Sequence, residues 1–131
     1  MAAKRPRPLS PHLTIWRWGP AMAVSILHRI TGAGLSILGL ALLTWWLLST
    51  AGAGEDYTLF TDIMSSIFGK IILIGLTWAF FQHLLSGIRH LAMDSGAAFE
   101  LGINKTTAIL TIIGSLLLTA VLWAYLLGVF K

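Results

Sequence analysis

The sequence predicts an all-α membrane protein with three transmembrane helices. Of its 131 residues, 56% are hydrophobic and only 11% are charged, and its mean hydropathy is +0.83, whereas soluble domains carry roughly 25% charged residues. Three segments are long enough to cross about 30 Å of hydrocarbon, which takes about 20 helical residues. We predict helices over about residues 20–49, 65–93 and 105–130, after an N-terminal arm of residues 1–19, in one membrane domain, residues 1–131.

Local signals support each of these helices. Gly19-Pro20 predicts the start of the first, because proline at the first helical position gives up an N–H that has no partner there. Asp94-Ser95-Gly96 predicts the end of the second, because glycine accepts the left-handed conformation that closes many helices. The third is the clearest span, since Thr106 to Phe130 carries no charged residue. The segment between the first two helices is expected to be a connection.

The charged residues flank the apolar segments and predict the topology. Basic residues precede the first helix and acidic residues follow it, so the positive-inside rule places the N-terminus in the cytoplasm. The arm is too rich in proline for the amphipathic helix of an organelle transit peptide, which favours a bacterial inner membrane, or the mitochondrial inner membrane in a eukaryote. The net charge of +4 forms no basic stripe with interleaved aromatic residues, so we expect no nucleic-acid partner. The basic residues are Lys4, Arg5, Arg7 and Arg17, and the acidic ones are Glu55, Asp56 and Asp62.

Composition also excludes several classes of function. The chain has no cysteine, which excludes disulfides and thiolate-ligated iron–sulfur clusters within it and leaves histidine as its strongest soft metal ligand. The residues outside the three helices are too few for a soluble catalytic domain of ordinary size. The chain is therefore not expected to be an enzyme on its own, and any redox or hydrolytic domain must be on another chain.

Polar side chains converge at one end of the first two helices. Because these helices run antiparallel, the start of the first and the end of the second lie at the same membrane face. On the second helix, His83, Gly87, His90 and Asp94 fall on one continuous stripe at 3.6 residues per turn. Two polar faces are therefore expected to meet in the cytoplasmic half of the membrane. The side chains at this level are Ser25, His28 and Arg29 on the first helix and Arg89, His90 and Asp94 on the second.

His83 is the deepest of these polar residues, about 16 Å from the predicted end of its helix and close to the midplane. An ionisable group at that depth costs free energy unless it has a partner, and it is a functional-site hypothesis by default. Haem b suits such a histidine, with cations nearer the surface to meet its propionates. His83 and His90 lie on one face about 10 Å apart along the axis, so they cannot bind one iron from opposite sides. The second ligand must be His28 or, given how few helices this chain has, a histidine of a second membrane subunit.

Two spaced motifs carry a resemblance to a known family. The first is Arg7-Pro8-Leu9-Ser10-Pro11-His12-Leu13 followed by Ser25-Ile26-Leu27-His28-Arg29-Ile30-Thr31. The second is His83-x-x-x-Gly87-Ile88-Arg89-His90-Leu91-x-Met93-Asp94-x-Gly96. In this order the motifs resemble the signatures of the cytochrome b membrane-anchor subunit of succinate dehydrogenase, respiratory complex II, and the resemblance covers nearly the whole chain.

The resemblance implies a haem b subunit of succinate:ubiquinone oxidoreductase, whose three helices pair with a second three-helix anchor in a lipid-embedded bundle. The two anchors would dock an iron–sulfur subunit and a flavoprotein subunit, and would pass electrons from the iron–sulfur subunit to ubiquinone in the citric acid cycle and respiratory chain. Succinate itself would be oxidised at a flavin on another subunit. His83 is implied as an axial haem ligand, with the other ligand coming from the partner anchor.

The resemblance also implies roles for the shallower residues. Ser25, His28 and Arg29 match residues of the ubiquinone site, and His28 and Arg29 are expected near the haem propionates as well. Quinone reduction by two electrons takes up two protons, so hydrogen-bond donors close to the membrane surface suit this role. Arg89 and His90 are assigned provisionally to propionate or inter-subunit contacts.

Three alternatives remain open at this stage. The chain is also compatible with the anchor of a fumarate reductase or another quinone-linked complex, which shares this membrane architecture. A small transporter or channel subunit would use the histidines as a proton relay and would show ion flux without haem. A purely structural protein would use the polar stripe only to pack against a partner helix.

Overall fold

The computed structural model describes residues 17–52 and 54–128, and it contains three helices long and apolar enough to cross a membrane. The first span is Pro20–Ala51, the second is Ile67–Asp94 and the third is Leu101–Leu126. The predicted all-α class and the three spans are confirmed, although the third span begins and ends about one turn earlier than expected. The arm up to residue 16, which contains the first half of the first motif, lies outside the described residues.

The helix boundaries follow the local signals. Pro20 is the first helical residue after an extended Gly19. The second span ends at Asp94, and Gly96 takes a φ of +88°. There the N–H of Gly96 donates to the carbonyl of Met93 at 2.9 Å, which satisfies one of the carbonyls left free at a helix end. We call the membrane face where the first span begins, the second ends and the third begins the arm face.

The first span contains a wider turn that the sequence analysis did not predict. Leu35–Gly39 forms a π-helix between two α-helical parts, Pro20–Gly34 and Leu40–Ala51. The part before this turn packs against the second and third spans, whereas the part after it packs against a short helix, Gly54–Ser65. A π-turn inserts an extra residue and so changes which face of a helix meets its neighbours, and here it separates two packing environments.

The helix Gly54–Ser65 corrects the expectation of a plain connection between the first two spans. Glu55 and Asp56 lie in its first turn, where carboxylates favour the positive end of the helix dipole. The second span then begins at Ile67 and not at Ser65, because Ser66 caps it by accepting a hydrogen bond from the Gly69 N–H at 3.2 Å. The acidic pair was the sequence signal for this helix.

The buried residues of the described chain are mostly small and polar. Three hydrophobic residues are buried, and eight polar or charged ones are. This distribution is typical of membrane bundles, where small residues allow helices to approach and large apolar side chains face lipid or a partner. The hydrophobic residues are Val24, Met64 and Ala108; the polar ones are Thr31, Ser49, Gln82, Ser86, Arg89, Thr111, Ser115 and Thr119.

Candidate functional site

Three histidines meet between the first and second spans. The His28 ring stacks on the His83 ring with centroids 4.0 Å apart and planes within 7° of parallel. His28 also lies 5.1 Å from the His90 ring, which is tilted by 55°. The polar faces of the two helices therefore come together as the spacing of the histidines predicts. We call these three residues the histidine cluster.

The hydrogen bonds of His83 define which of its ring nitrogens is free. Its Nδ1 lies 3.1 Å from the main-chain carbonyl oxygen of His28 and 3.5 Å from the hydroxyl of Thr31. A carbonyl can only accept, so Nδ1 carries the proton and donates it to His28. Nε2 then holds the lone pair of the neutral ring, and no described residue bonds to it or encloses it.

Gly32 makes room for the His83 ring. A Cβ atom at this position would lie 2.9 Å from Cε1 and 3.3 Å from Nδ1 of His83, closer than real side chains pack. The ring therefore sits in a notch that only glycine leaves open. The sequence signal for this close approach was the pair Gly32 and Ser36, small residues four apart at which a neighbouring helix or a flat ligand can come near the backbone.

Ser25 and Arg29 lie nearer the arm face and remain available for a ligand. They are one turn apart on the first span, with Ser25 half-buried and Arg29 exposed. Within the described part of the chain, neither side chain takes a hydrogen bond from or donates one to another residue. They provide a hydroxyl and a cation close to the membrane surface.

Arg89 does not join the histidine cluster. Its side chain is 7% exposed, and its Nη2 and Nε donate to Asn104 Oδ1 at 2.9 Å and Thr107 Oγ1 at 3.2 Å. Both partners belong to the third span. Position 89 points to a different side of the helix from positions 83 and 90, and the provisional assignment of Arg89 to a propionate or an inter-subunit contact stays a prediction.

A buried polar pair fixes the second span against the third beside the cluster. Gln82 and Ser115 are fully buried, and the Ser115 hydroxyl donates to Gln82 Oε1 at 2.7 Å. Since Gln82 directly precedes His83, this bond holds the rotation of the helix that turns His83 toward the first span. His28 Nδ1 is buried and has no hydrogen-bond partner in the described structure.

The cluster does not form a cage for a bare metal ion. Across residues 17–52 and 54–128, no three His, Asp or Glu side chains are grouped to hold one. What this chain offers is one imidazole nitrogen deep between helices, with polar groups toward the arm face. Fold and site together define a three-span membrane protein with a histidine cluster between its first two spans and polar side chains nearer the arm face.

Comparison with known proteins agrees with this class. The chain belongs to the family described as succinate dehydrogenase/fumarate reductase transmembrane subunit, which it matches over residues 3–122. The family predicted from the two motifs is therefore confirmed. Membership also confirms that the chain is a membrane subunit of an oxidoreductase and not an enzyme by itself.

Individual relatives in bacteria and in mitochondria are described as cytochrome b subunits of succinate dehydrogenase. The succinate dehydrogenase cytochrome b556 subunit of Paracoccus denitrificans is 40% identical over 112 residues, which cover 86% of this chain and 85% of the relative. The cytochrome b556 subunit of Rickettsia conorii is 36% identical over 117 residues, covering 89% and 90%. The mitochondrial cytochrome b560 subunit of Mus musculus is 39% identical over 94 residues, covering 69% and 54%.

Proposed function

We propose that this chain is the haem b membrane anchor of a succinate:ubiquinone oxidoreductase, in which it supplies one axial haem ligand and part of the quinone site. The observation that carries the proposal is the free Nε2 of His83, whose ring is oriented by the bond from Nδ1 to the His28 carbonyl. Names of relatives as cytochrome b subunits support the choice of haem b.

The residues present fit a haem ligand. Histidines that bind metals almost always donate their second ring N–H to a carbonyl, carboxylate or water, which fixes the tautomer and the ring orientation. His83 has this arrangement. It also lies about 4 Å from the midpoint of the second span at 1.5 Å per residue, so a ligand bound there is shielded from water. When bound, haem b supplies one-electron redox chemistry.

The second axial ligand comes from another subunit. If His28 were the second ligand, the haem would have to fit between the His28 and His83 rings, and these rings are stacked with centroids only 4.0 Å apart. This arrangement supports a second ligand from another subunit over His28. A second three-helix anchor that provides a histidine completes the site.

The arm-face residues suit the quinone and the haem propionates. The Ser25 hydroxyl and the Arg29 guanidinium can donate hydrogen bonds to quinone carbonyl oxygens, and the charge of Arg29 stabilises negative charge that develops there. His28 and His90 lie between this level and His83, where their rings can hold or pass a proton or contact a propionate. Arg89 stays with the third span in this proposal.

The partners follow from what the chain lacks. Its described residues form spans and short connections, so succinate oxidation and the iron–sulfur relay belong to a flavoprotein subunit and an iron–sulfur subunit docked on the arm face. The basic residues of the arm and the acidic residues after the first span favour an orientation with this face in the cytoplasm of a bacterium, or in the matrix of a mitochondrion. The family includes fumarate reductases, and the names of the relatives favour the succinate-oxidising direction.

Replacing His83 with alanine tests the haem proposal. Because the iron loses an axial ligand, His83→Ala should remove most of the b-type absorbance from a reduced-minus-oxidised spectrum of the purified complex. Ile74→Ala is the control and should keep it, since Ile74 is exposed on the opposite face of the same helix from His83. Absence of b-type absorbance in the wild-type complex, or its survival in His83→Ala, would show the assignment to be wrong.

The glycine notch gives a second prediction. Gly32→Ala places a methyl group against the His83 ring, so haem retention per complex should fall roughly tenfold or more, as when the groups that orient a metal ligand are lost. Gly34→Ala is the control, because a Cβ there meets nothing within 4 Å. Haem quantified after detergent washing distinguishes the two variants. Equal haem retention in Gly32→Ala and Gly34→Ala would contradict the proposed position of the His83 ring against Gly32.

The quinone role predicts a split between two activities. Ser25→Ala and Arg29→Gln should each lower ubiquinone reduction roughly tenfold or more, as expected for losing a hydrogen bond that involves a charged group or a developing charge. Succinate oxidation with a soluble dye should be unchanged, because it does not pass through this chain. Lys105→Gln, an exposed cation at the arm face, serves as control. Equal loss of both activities would count against a quinone site here.

A further inference from the structure

Arg89 carries a buried charge that no acidic residue compensates in the described structure. It is 7% exposed, and both of its hydrogen-bond partners, Asn104 and Thr107, are neutral. Its Nη1 donates no hydrogen bond to the described residues and is not enclosed by them. A charge held inside a membrane protein is usually paired with an opposite charge, so Arg89 is suited to bind an anion from outside this chain.

Arg89 also lines a groove that opens between the second and third spans. The groove has a volume of about 300 Å³, and its apolar walls include Leu85, Ile88 and Leu110. Ala98 in the turn between the spans and Thr107 of the third span also line it. Among the described residues that line the groove, Arg89 is the one cation and the others are mostly apolar, which matches a ligand with an anionic head and a hydrocarbon tail.

The depth of Arg89 in the membrane favours a lipid phosphate over a free phosphate ion as the anion. At 1.5 Å per residue it lies about 13 Å from the midpoint of the second span, whereas the hydrocarbon half-thickness is about 15 Å. The phosphate level of the membrane is therefore within reach of its guanidinium. A free phosphate ion would not use the apolar walls below it.

We infer that this groove binds one acidic phospholipid, with its phosphate on Arg89 and an acyl chain along Leu85, Ile88 and Leu110. Basic pockets between transmembrane helices are a recognised setting for acidic headgroups, and the planar guanidinium matches phosphate geometry. An acidic lipid such as phosphatidylglycerol brings the missing net negative charge, whereas a zwitterionic lipid brings its own cation. The inference is independent of the haem and quinone proposals.

The test uses the intact complex in nanodiscs that contain equal amounts of phosphatidylglycerol and phosphatidylcholine. Native mass spectrometry after release counts the phospholipids that stay bound to each complex. We expect one retained phosphatidylglycerol in the wild-type complex. In Arg89→Gln its occupancy should fall roughly tenfold, as expected for the loss of one charge-assisted contact.

Two further variants separate lipid binding from misfolding. Leu110→Trp fills the groove while it leaves Arg89 in place, so it should also remove the lipid. Leu117→Trp is its control, because Leu117 is similarly exposed on the same helix, 59% against 60%, and does not line the groove. Lys105→Gln is the charge control for Arg89→Gln. Both controls should retain the lipid.

Three results would overturn the inference. One is equal lipid retention in wild type, Arg89→Gln and Leu110→Trp. Another is equal retention of phosphatidylcholine and phosphatidylglycerol, which would show that the groove does not select an acidic headgroup. The third is capture of a protein subunit by a photo-crosslinking residue placed at position 110, which would show that a partner helix covers the groove.

Discussion

The hydrogen bond from His83 Nδ1 to the His28 carbonyl is the interaction on which the account of this protein depends. It joins the first span to the second near the middle of the membrane, where no water is available to satisfy either group. The same bond determines which ring nitrogen is left with a lone pair. Gly32 is needed because the ring that makes this bond occupies the space of a side chain at position 32.

The rest of the packing supports that bond from the opposite side. The Ser115 hydroxyl holds Gln82, the neighbour of His83, so the second span is fixed in rotation by both of its neighbours. Such polar contacts are worth about 0.6 kcal/mol each on average in membrane proteins, so no single one determines the fold. Together these contacts favour one rotation of the second span about its axis. In that rotation the large apolar side chains face outward, where they can contact lipid or a second anchor.

The sequence predicted the three spans, the Pro20 start, the Gly96 stop and the meeting of the histidines, because apolar length and 3.6-residue spacing are local properties. It did not predict the π-turn at Leu35–Gly39, which arises from packing of the first span against two different neighbours. Nor did it reveal the side on which Arg89 lies, since that depends on Asn104 and Thr107 of another helix. In the sequence, Arg89 belongs to the same motif as the proposed haem residues. In the structure, its hydrogen bonds join it to the third span.

Ligation of haem iron by His83 Nε2 is the central claim, and exchanging the ligand tests it most directly. The oxidised complex carrying His83→Met should be compared with wild type by near-infrared magnetic circular dichroism, which distinguishes pairs of axial ligands. The account predicts a change from a signature of two imidazoles to one of imidazole with thioether sulfur. An unchanged two-imidazole signature in the variant would contradict it.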